Sequence, residues 1–280
     1  MTDLAARALG ARAERLDRAI SAVQTRFALM FPGGEIQDTG RAIWTLSTTP
    51  LLVANGVIRY DARDFNGPDC ERDLDNCLAA LSTYDVPWRF SAWEHLGADV
   101  LVPHLVARGM IGAAKAPAMW LDLRGRPLVT RDEDGIEIRP ATNAADHHTW
   151  TQIFTDVFAI PSEYADVFEQ MVAKSHSFSA VAYADGRPVG CLSVAMEEGL
   201  AVVDNLGVLP TARRRGVGRR LLEAAHEAAA AQGAKACVVV APPAGSDICA
   251  RLGYHAVTSV TYLMPAVSQH LNRSSMMART

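Results

Sequence analysis

The chain lacks an excess of positive charge and any long hydrophobic run. Its 280 residues carry 27 Lys and Arg against 31 Asp and Glu, which gives a formal net charge of -4. Because nucleic-acid-binding proteins are usually basic, this balance argues against a nucleic-acid partner. Uncharged apolar runs such as 50–58 are much shorter than the roughly 20 residues of a membrane-spanning helix. No association with membranes is expected.

The sequence also lacks a disulfide framework and a metal-binding motif. There are five cysteines: Cys70, Cys77, Cys191, Cys237 and Cys249. An odd number without a CxxC pair predicts buried, reduced thiols. The adjacent His147 and His148 would point apart on a helix, so no metal site is predicted. The residues after Met1 include no apolar signal core, and a cytoplasmic location is expected.

The most informative segment is 203–222, VDNLGVLPTARRRGVGRRLL. It predicts a buried strand over 201–209, a loop rich in arginine and glycine, and the start of a helix. Glycine lets main-chain N–H groups approach a ligand closely. The first N–H groups of a helix have no partner within it and carry its positive dipole end. The segment therefore predicts a site for a phosphorylated ligand.

Two common phosphate-binding loops do not fit this segment. An NTPase loop has Lys followed by Ser or Thr after its last glycine, where this chain has Arg219 and Arg220. A dinucleotide-binding loop has a third glycine three residues after Gly218, where this chain has Leu221. Neither class of nucleotide-binding protein is indicated.

The segment resembles the pyrophosphate loop of the GNAT superfamily of N-acyltransferases. The family signature, Arg/Gln-x-x-Gly-x-Gly/Ala, corresponds to Arg213-x-x-Gly216-x-Gly218, and it follows a strand that ends Leu206-Gly207-Val208. About one helix and one strand later, 251–254 (RLGY) resembles the Leu-Gly-Phe/Tyr element of the family. The resemblance covers roughly residues 135 to 265.

The predicted fold class is α/β (α+β), a mixed and mostly antiparallel sheet with helices on its faces. After 135, the order of predicted elements is strand, two helices, three strands, helix, strand, helix and strand, which is the GNAT arrangement. The turn-rich segment 126–134 is predicted to be a linker between two domains. Residues 135–265 would form the catalytic GNAT domain, and 266–280 a polar C-terminal tail.

The first half, residues 1–125, resembles the degenerate GNAT-like copy of tandem family members. Its 106–110 segment (VARGM) is similar to a degenerate Leu-Gly-Phe/Tyr element. Residues 1–125 contain no Arg/Gln-x-x-Gly-x-Gly motif. This half should therefore not bind CoA. Two interpretations stay open: it forms a wall of the acceptor cleft, or it only packs against the second half.

The resemblance implies that acetyl-CoA is the cosubstrate, with no metal. The residues implied to bind it are Leu206, Gly207, Val208, Arg213, Arg214, Arg215, Gly216, Val217, Gly218 and Arg219. Backbone groups of the loop would hold the pyrophosphate, and the strand backbone would pair with pantetheine and polarise the thioester carbonyl. Gly207 is the expected position of a bulge that opens the thioester slot. For the arginines the alternative is a solvated helix face, above all for Arg220.

Catalysis of acyl transfer to an amine requires proton transfers, because a primary alkylamine is only about 0.1% neutral at pH 7. Asp204, two residues before Leu206, is the candidate base, and the alternative is a carboxylate bound by the backbone. Many family members have a tyrosine acid at the position of Cys249. Cys249 is therefore the candidate acid, and its alternative is a small buried side chain.

The predicted function is acetyl-CoA-dependent N-acetyltransfer to a primary amine by direct transfer. The alternative is a non-catalytic acyl-CoA-binding sensor or interaction protein. The acceptor and the oligomeric state stay open. Five aromatic residues are candidates for an acceptor pocket, although such residues more often form cores: Trp44, Trp88, Trp93, Tyr164 and Phe168.

Overall fold

The computed structural model describes residues 3–83, 85–125, 135–174 and 177–266. The chain packs into two compact units. Unit 1 contains the described chain up to Ala118, Val240–Pro243 and the segment from Ala256, and unit 2 contains Met119–Val239 and Ala244–His255. The predicted linker 126–134, and the tail from residue 267 onward, lie outside the described residues.

The described chain contains both helices and strands in each of its halves. The elements of its first part are α1 (Asp3–Ala28), β1 (Glu35–Asp38), β2 (Ala42–Leu46), β3 (Gly56–Tyr60), α2 (Gly67–Ser82), β4 (Arg89–Trp93), α3 (Ala98–Ala107) and β5 (Met110–Asp122). The elements of its second part are β6 (Ile136–Pro140), α4 (Ala144–Phe158), α5 (Ala165–Lys174), β7 (Phe178–Ala184), β8 (Arg187–Glu197), β9 (Leu200–Val208), α6 (Val217–Ala231), β10 (Ala236–Val240), α7 (Pro243–Arg251) and β11 (His255–Pro265).

In unit 1 the strands lie in the order β1-β2-β3-β4-β11-β5. Strand β11, the last of the chain, pairs antiparallel with β4, so that Val260 lies opposite Trp93 and Leu263 opposite Phe90. Helix α2 buries Leu74 and Leu81 because apolar residues recur along one of its faces. The last strand of the predicted 135–265 domain therefore lies in unit 1.

In unit 2 the strands lie in the order β10-β9-β8-β7-β6. Strand β10 is parallel to β9, and the other neighbours are antiparallel. The mixed, mostly antiparallel sheet flanked by helices that the sequence predicts is confirmed. The order of elements after residue 135 also agrees with the prediction.

Helices α4 and α6 lie on opposite faces of the unit 2 sheet. A Cβ atom on Gly207 would meet Val157 and Phe158 of α4, whereas one on Gly190 would meet Val217 and Leu221 of α6. Gly207 pairs with Cys191, the neighbour of Gly190, and adjacent residues of a strand point to opposite faces. The two glycines thus let one helix approach each face.

We expect Gly190→Val to destabilise unit 2, because a Cβ at this position would lie 3.0 Å from both the Gly207 carbonyl and Val217 Cγ1. Overpacking of this kind costs about 1–3 kcal/mol. Urea unfolding should show that loss in the free energy of unfolding. The matched control is Gly112→Val, since a Cβ at Gly112 meets nothing within 4 Å. Equal stability of the two variants would contradict the expected close packing of α6.

Candidate functional site

Strand β9 contains a bulge where it pairs with β8. Cys191 pairs with Gly207 and Ser193 with Asp204, so Asn205 and Leu206 together face the single residue Leu192. Asn205 has a φ of 54°, in the left-handed region that asparagine adopts more readily than most residues. The bulge was predicted at Gly207, and this prediction was wrong. The bulge lies at Asn205 and Leu206. Gly207 is needed instead for the close approach of α4.

Side chains from neighbouring elements hold the bulge in place. The buried indole of Trp150, on α4, donates to the carbonyl of Leu192 at 2.9 Å. The amide of Asn205 donates to Ser193 Oγ at 3.1 Å, and the Cys191 thiol donates to the Asn205 carbonyl at 3.8 Å. Asn205 and Ser193 were not predicted as site residues; the only signal in the sequence was the polar pair Asp204-Asn205 inside an apolar strand.

Strand β9 is paired with β10 only over its first residues. The two strands pair at Leu200, Ala201 and Val202, whereas pairing with β8 continues to Val208. Within the described residues, the β9 edge on the β10 side is therefore without a strand partner over Val203–Val208, and we call it the open edge of β9. The backbone of Leu206 and Val208 lies on this stretch, and both residues are half-buried. An extended ligand can add to the open edge through main-chain hydrogen bonds.

The loop after β9 leads directly into α6. Arg214 has a φ of 66° and Gly216 a φ of 86°, so two residues of the loop adopt left-handed conformations. Such turns bring successive N–H groups together as an anion-binding concavity. Helix α6 begins at Val217, and its first N–H groups have no acceptor within the helix. Val217 itself is buried, so it can contribute to a ligand only through its backbone.

The second glycine of the loop leaves space beside the helix. A Cβ on Gly218 would lie 3.6 Å from Ile248 Cδ1 and 3.9 Å from Val208 Cγ2, which are ordinary contact distances. Packing within the protein therefore does not explain why residue 218 is glycine. A ligand that approaches the backbone closely at this position would explain it.

The arginines of the motif differ in their surroundings. Arg213 Nε donates to the Val208 carbonyl at 3.2 Å, which ties the loop to the end of β9. Arg215 pairs with Asp185 at 3.1 Å, and Arg219 lies 4.0 Å from Glu223. Arg213, Arg214 and Arg215 are exposed. The solvated alternative for Arg220 was wrong, since its side chain is buried.

The candidate base lies at the bulge. Asp204 is half-buried, and its Oδ1 accepts from the backbone N–H of Asn205 at 2.9 Å. One carboxylate oxygen thus stabilises the bulge, as the structural alternative expects. Such a contact still leaves the second oxygen able to accept a proton.

The candidate acid is a buried thiol on α7. Cys249 is only 2% exposed, and burial raises the pKa of its thiol to about 11. Its carbonyl accepts from the N–H groups of Leu252 and Tyr254, both at 3.0 Å. Tyr254 is also buried, and its hydroxyl lies 2.9 Å from Nε2 of the buried His226. These contacts agree with packing roles for Cys249 and Tyr254.

The aromatic candidates for an acceptor pocket lie mostly in the cores. Trp44, Trp88 and Trp93 are buried in unit 1, and Phe168 is buried in unit 2. Tyr164 is half-buried. The interpretation of these aromatic residues as core residues is confirmed for the four buried ones.

Among the described residues, one group brings metal-type ligands together. Atoms of Glu14, Asp17 and His95, in unit 1, lie within 4.8 Å of one another. Arg59 Nε lies 2.7 Å from the Asp17 carboxylate, and Arg63 Nη1 lies 2.6 Å from that of Glu14. Because guanidinium groups already neutralise both carboxylates, we interpret the group as an ion-pair network.

The profile of the acetyltransferase (GNAT) family matches residues 145–254. No curated protein matches the chain. Within the described residues, no helix is both long and apolar enough to cross a bilayer.

Solved structures share the fold. A GCN5-related N-acetyltransferase from Kribbella flavida has a TM-score of 0.65 at 16% identity, covering 88% of this chain and 94% of that one. One from Sphaerobacter thermophilus has a TM-score of 0.64 at 14% identity, covering 81% of each chain. A tandem GNAT protein from the clavulanic acid biosynthesis pathway has a TM-score of 0.61 at 15% identity, covering 86% of each chain.

These solved structures cover between 81% and 88% of this chain, which is more than its second half alone. The similarity of fold therefore extends into residues 1–125. The family match at 145–254 includes the bulged strand, the left-handed loop and the start of α6. Residues 145–254 therefore form an acetyltransferase domain of the GNAT family.

Proposed function

We propose that this domain is an acetyl-CoA-dependent N-acetyltransferase that moves the acetyl group directly to a primary amine. The observation that carries the proposal is the juxtaposition of the open edge of β9 with the left-handed loop that begins α6. The loop offers backbone N–H groups to a pyrophosphate, and the strand offers backbone groups to an extended arm. The two features follow each other directly in the chain, as one continuous ligand would require.

The proposal matches residues to two parts of acetyl-CoA, the pyrophosphate and the pantetheine arm. Loop residues Arg213–Arg219 would hold the pyrophosphate, and Gly218 keeps space at the helix start. Leu206, Gly207 and Val208 would bind the pantetheine arm through their main chain. Acetyl-CoA supplies a thioester whose carbonyl carbon accepts the amine, forming a C–N bond as the C–S bond breaks.

Two proton movements accompany this transfer. The amine must lose a proton to become a neutral product amide, and Asp204 is the proposed acceptor of that proton, directly or through water. The CoA thiolate must gain a proton as it leaves. Because the Cys249 thiol is buried with a pKa raised to about 11, we assign Cys249 a packing role and the protonation to water.

The loop assignment predicts that wild-type protein binds acetyl-CoA and that Gly218→Asp does not. The new carboxylate would lie where the N–H groups face the pyrophosphate, and like charges repel there. Its Cβ meets only ordinary contacts with Ile248 and Val208, so the fold should persist. Titration calorimetry measures the affinity, and Gly112→Asp is the matched control. Undiminished binding by Gly218→Asp would place the ligand elsewhere.

The base assignment predicts that Asp204→Asn lowers kcat by about 10²–10⁴-fold, the usual contribution of a general base. The amide oxygen can still accept from the Asn205 N–H, so the bulge and the affinity for acetyl-CoA should be preserved. Release of free CoA with a panel of amines measures the rate. The acid limb of the pH–rate profile should disappear in the variant.

Two outcomes would overturn these assignments separately. Full activity of Asp204→Asn would mean that another group or a water relay takes the proton. Wild-type protein that binds acetyl-CoA but releases no CoA with any amine would be a sensor instead of an enzyme.

The packing assignment of Cys249 predicts that Cys249→Ala keeps kcat within about threefold of wild type, since removal of a general acid usually costs 10²-fold or more. A small loss of stability is expected from the missing sulfur. Steady-state kinetics and urea unfolding measure the two effects. A large fall in kcat with unchanged stability would restore the thiol as the acid.

A further inference from the structure

The pair asparagine-glycine occurs twice in the chain, at Asn55-Gly56 and at Asn66-Gly67. Asparagine is one of the thermolabile residues of proteins, because the main-chain nitrogen of the next residue can attack its side-chain carbonyl carbon. Glycine has no side chain to hinder that attack. The two pairs therefore have similar intrinsic reactivity, and differences between them come from the fold.

The first pair is buried, and its side-chain amide is held on every side. Asn55 is only 2% exposed. Its Oδ1 accepts from the Ser47 N–H at 2.6 Å and from Ser47 Oγ at 3.2 Å. Its Nδ2 donates to two backbone carbonyls, one of them that of Thr49 at 2.7 Å. A Cβ atom on Gly56 would lie 2.0 Å from the Arg89 carbonyl oxygen, so the backbone at this pair is closely packed as well.

The second pair lies at the start of α2 and has none of these restraints. Asn66 and Gly67 are both exposed, and the Asn66 side chain makes no capping hydrogen bond to the helix. Among the described residues, neither this side chain nor the Gly67 N–H group has a hydrogen-bond partner. A Cβ atom on Gly67 would meet nothing within 4 Å. The reacting groups of this pair are therefore free to move.

The position at a helix start favours the reaction of the second pair. The Gly67 nitrogen must rotate toward the side chain, because Asn66 has an extended ψ of 144°. No helical hydrogen bond is lost in this rotation, since the first N–H groups of a helix have no acceptor within it. The attacking nitrogen must also lose its proton, and the positive end of the helix dipole favours the negative charge that results.

We propose that Asn66 is a site of spontaneous modification, at which the side-chain amide becomes a carboxylate, whereas Asn55 is protected. The Gly67 nitrogen gives up its proton and attacks Cγ of Asn66, so that a C–N bond forms and the bond from Cγ to Nδ2 breaks. Nδ2 takes up the proton and leaves as ammonia. Water then adds its hydroxyl group to a carbonyl carbon of the cyclic imide and its other hydrogen to the Gly67 nitrogen. The proposal does not depend on acetyl-CoA binding.

The two carbonyls of the imide give products with different effects on α2. Opening at Cγ leaves an aspartate with an unchanged main chain, and a carboxylate is favoured at a helix start. Opening at the main-chain carbonyl leaves isoaspartate, which lengthens the main chain by a carbon atom. Phe65, just before this point, packs against the core, and Cys70, just after it, is buried. The longer chain must displace one of them, so the isoaspartate form is expected to be less stable.

The test follows both asparagines in the same protein. Full-length protein is incubated at mildly alkaline pH, and the peptides that contain each asparagine are analysed by mass spectrometry over time. We expect position 66 to convert at least about tenfold faster than position 55, because four side-chain hydrogen bonds of Asn55 must break first. The same incubation in urea should remove most of this difference, since the fold is its cause.

Variants at position 66 separate the chemistry from its consequence. Asn66→Gln keeps an amide but would need a larger ring, so position 66 should no longer convert while Asn55 behaves as in wild type. Asn66→Asp reproduces one product, and its urea midpoint should equal or exceed that of wild type. Wild-type protein that has accumulated isoaspartate should unfold at a lower urea concentration than fresh protein.

Three results would contradict the proposal. Equal conversion of the two asparagines in the folded protein would overturn the selectivity. A difference of the same size in urea would show that the fold does not cause it. Conversion at position 66 that continues in Asn66→Gln would exclude attack by the Gly67 nitrogen through the smaller ring.

Discussion

Strand β9 keeps its pairing with β8 to the end but loses β10 after Val202, and the site depends on this loss of one partner. A strand without a bulge would tend to stay paired with both neighbouring strands or to separate from both. The bulge at Asn205 and Leu206 changes the direction of the strand locally. Trp150, Cys191 and Ser193 hold that irregular backbone with hydrogen bonds, so the open edge is a fixed feature of the core.

Helix α6 connects this edge to the rest of unit 2. Its start lies just after the loop, and its Val217 and Leu221 pack against the sheet at Gly190. The position of the N-terminal N–H groups is therefore determined by core packing. The same helix also lines a groove beside β6 and β7 with Arg220, Ala224 and Glu227. One rigid element thus contributes to two surfaces.

Local sequence patterns were enough to predict the class of fold, the order of elements and the loop. Arg213-x-x-Gly216-x-Gly218 is a compact motif, and the apolar periodicity of the helices is strong, so neighbouring residues contain most of the information. The positions that could not be predicted depend on distant partners. The left-handed backbone of Asn205 requires Ser193 and Cys191 across the sheet, and the left-handed backbone of Arg214 follows from how the loop meets α6.

The burial of charged residues could not be predicted from the sequence either. Five arginines between Arg213 and Arg220 have the same local pattern, yet Arg220 alone among them is buried. Its surroundings come from β6 and β7, which precede it by more than 35 residues. The pairing of β11 with β4 is also a contact between distant segments, and no local pattern in either strand specifies it.

The position of β11 in unit 1 affects the order in which the two units can be completed during synthesis. Unit 1 begins at the N-terminus, but its sheet contains a strand that ends at Pro265. While the ribosome synthesises the chain, β4 can pair with β3 but lacks its second neighbour, β11, until residues 255–265 have been translated. The segments of unit 2, Met119–Val239 and Ala244–His255, lie between the first and last segments of unit 1, so its strands β6 to β10 are available earlier. The N-terminal unit is thus the last to be completed, and expression of residues 1–125 alone would yield a sheet with a missing inner strand.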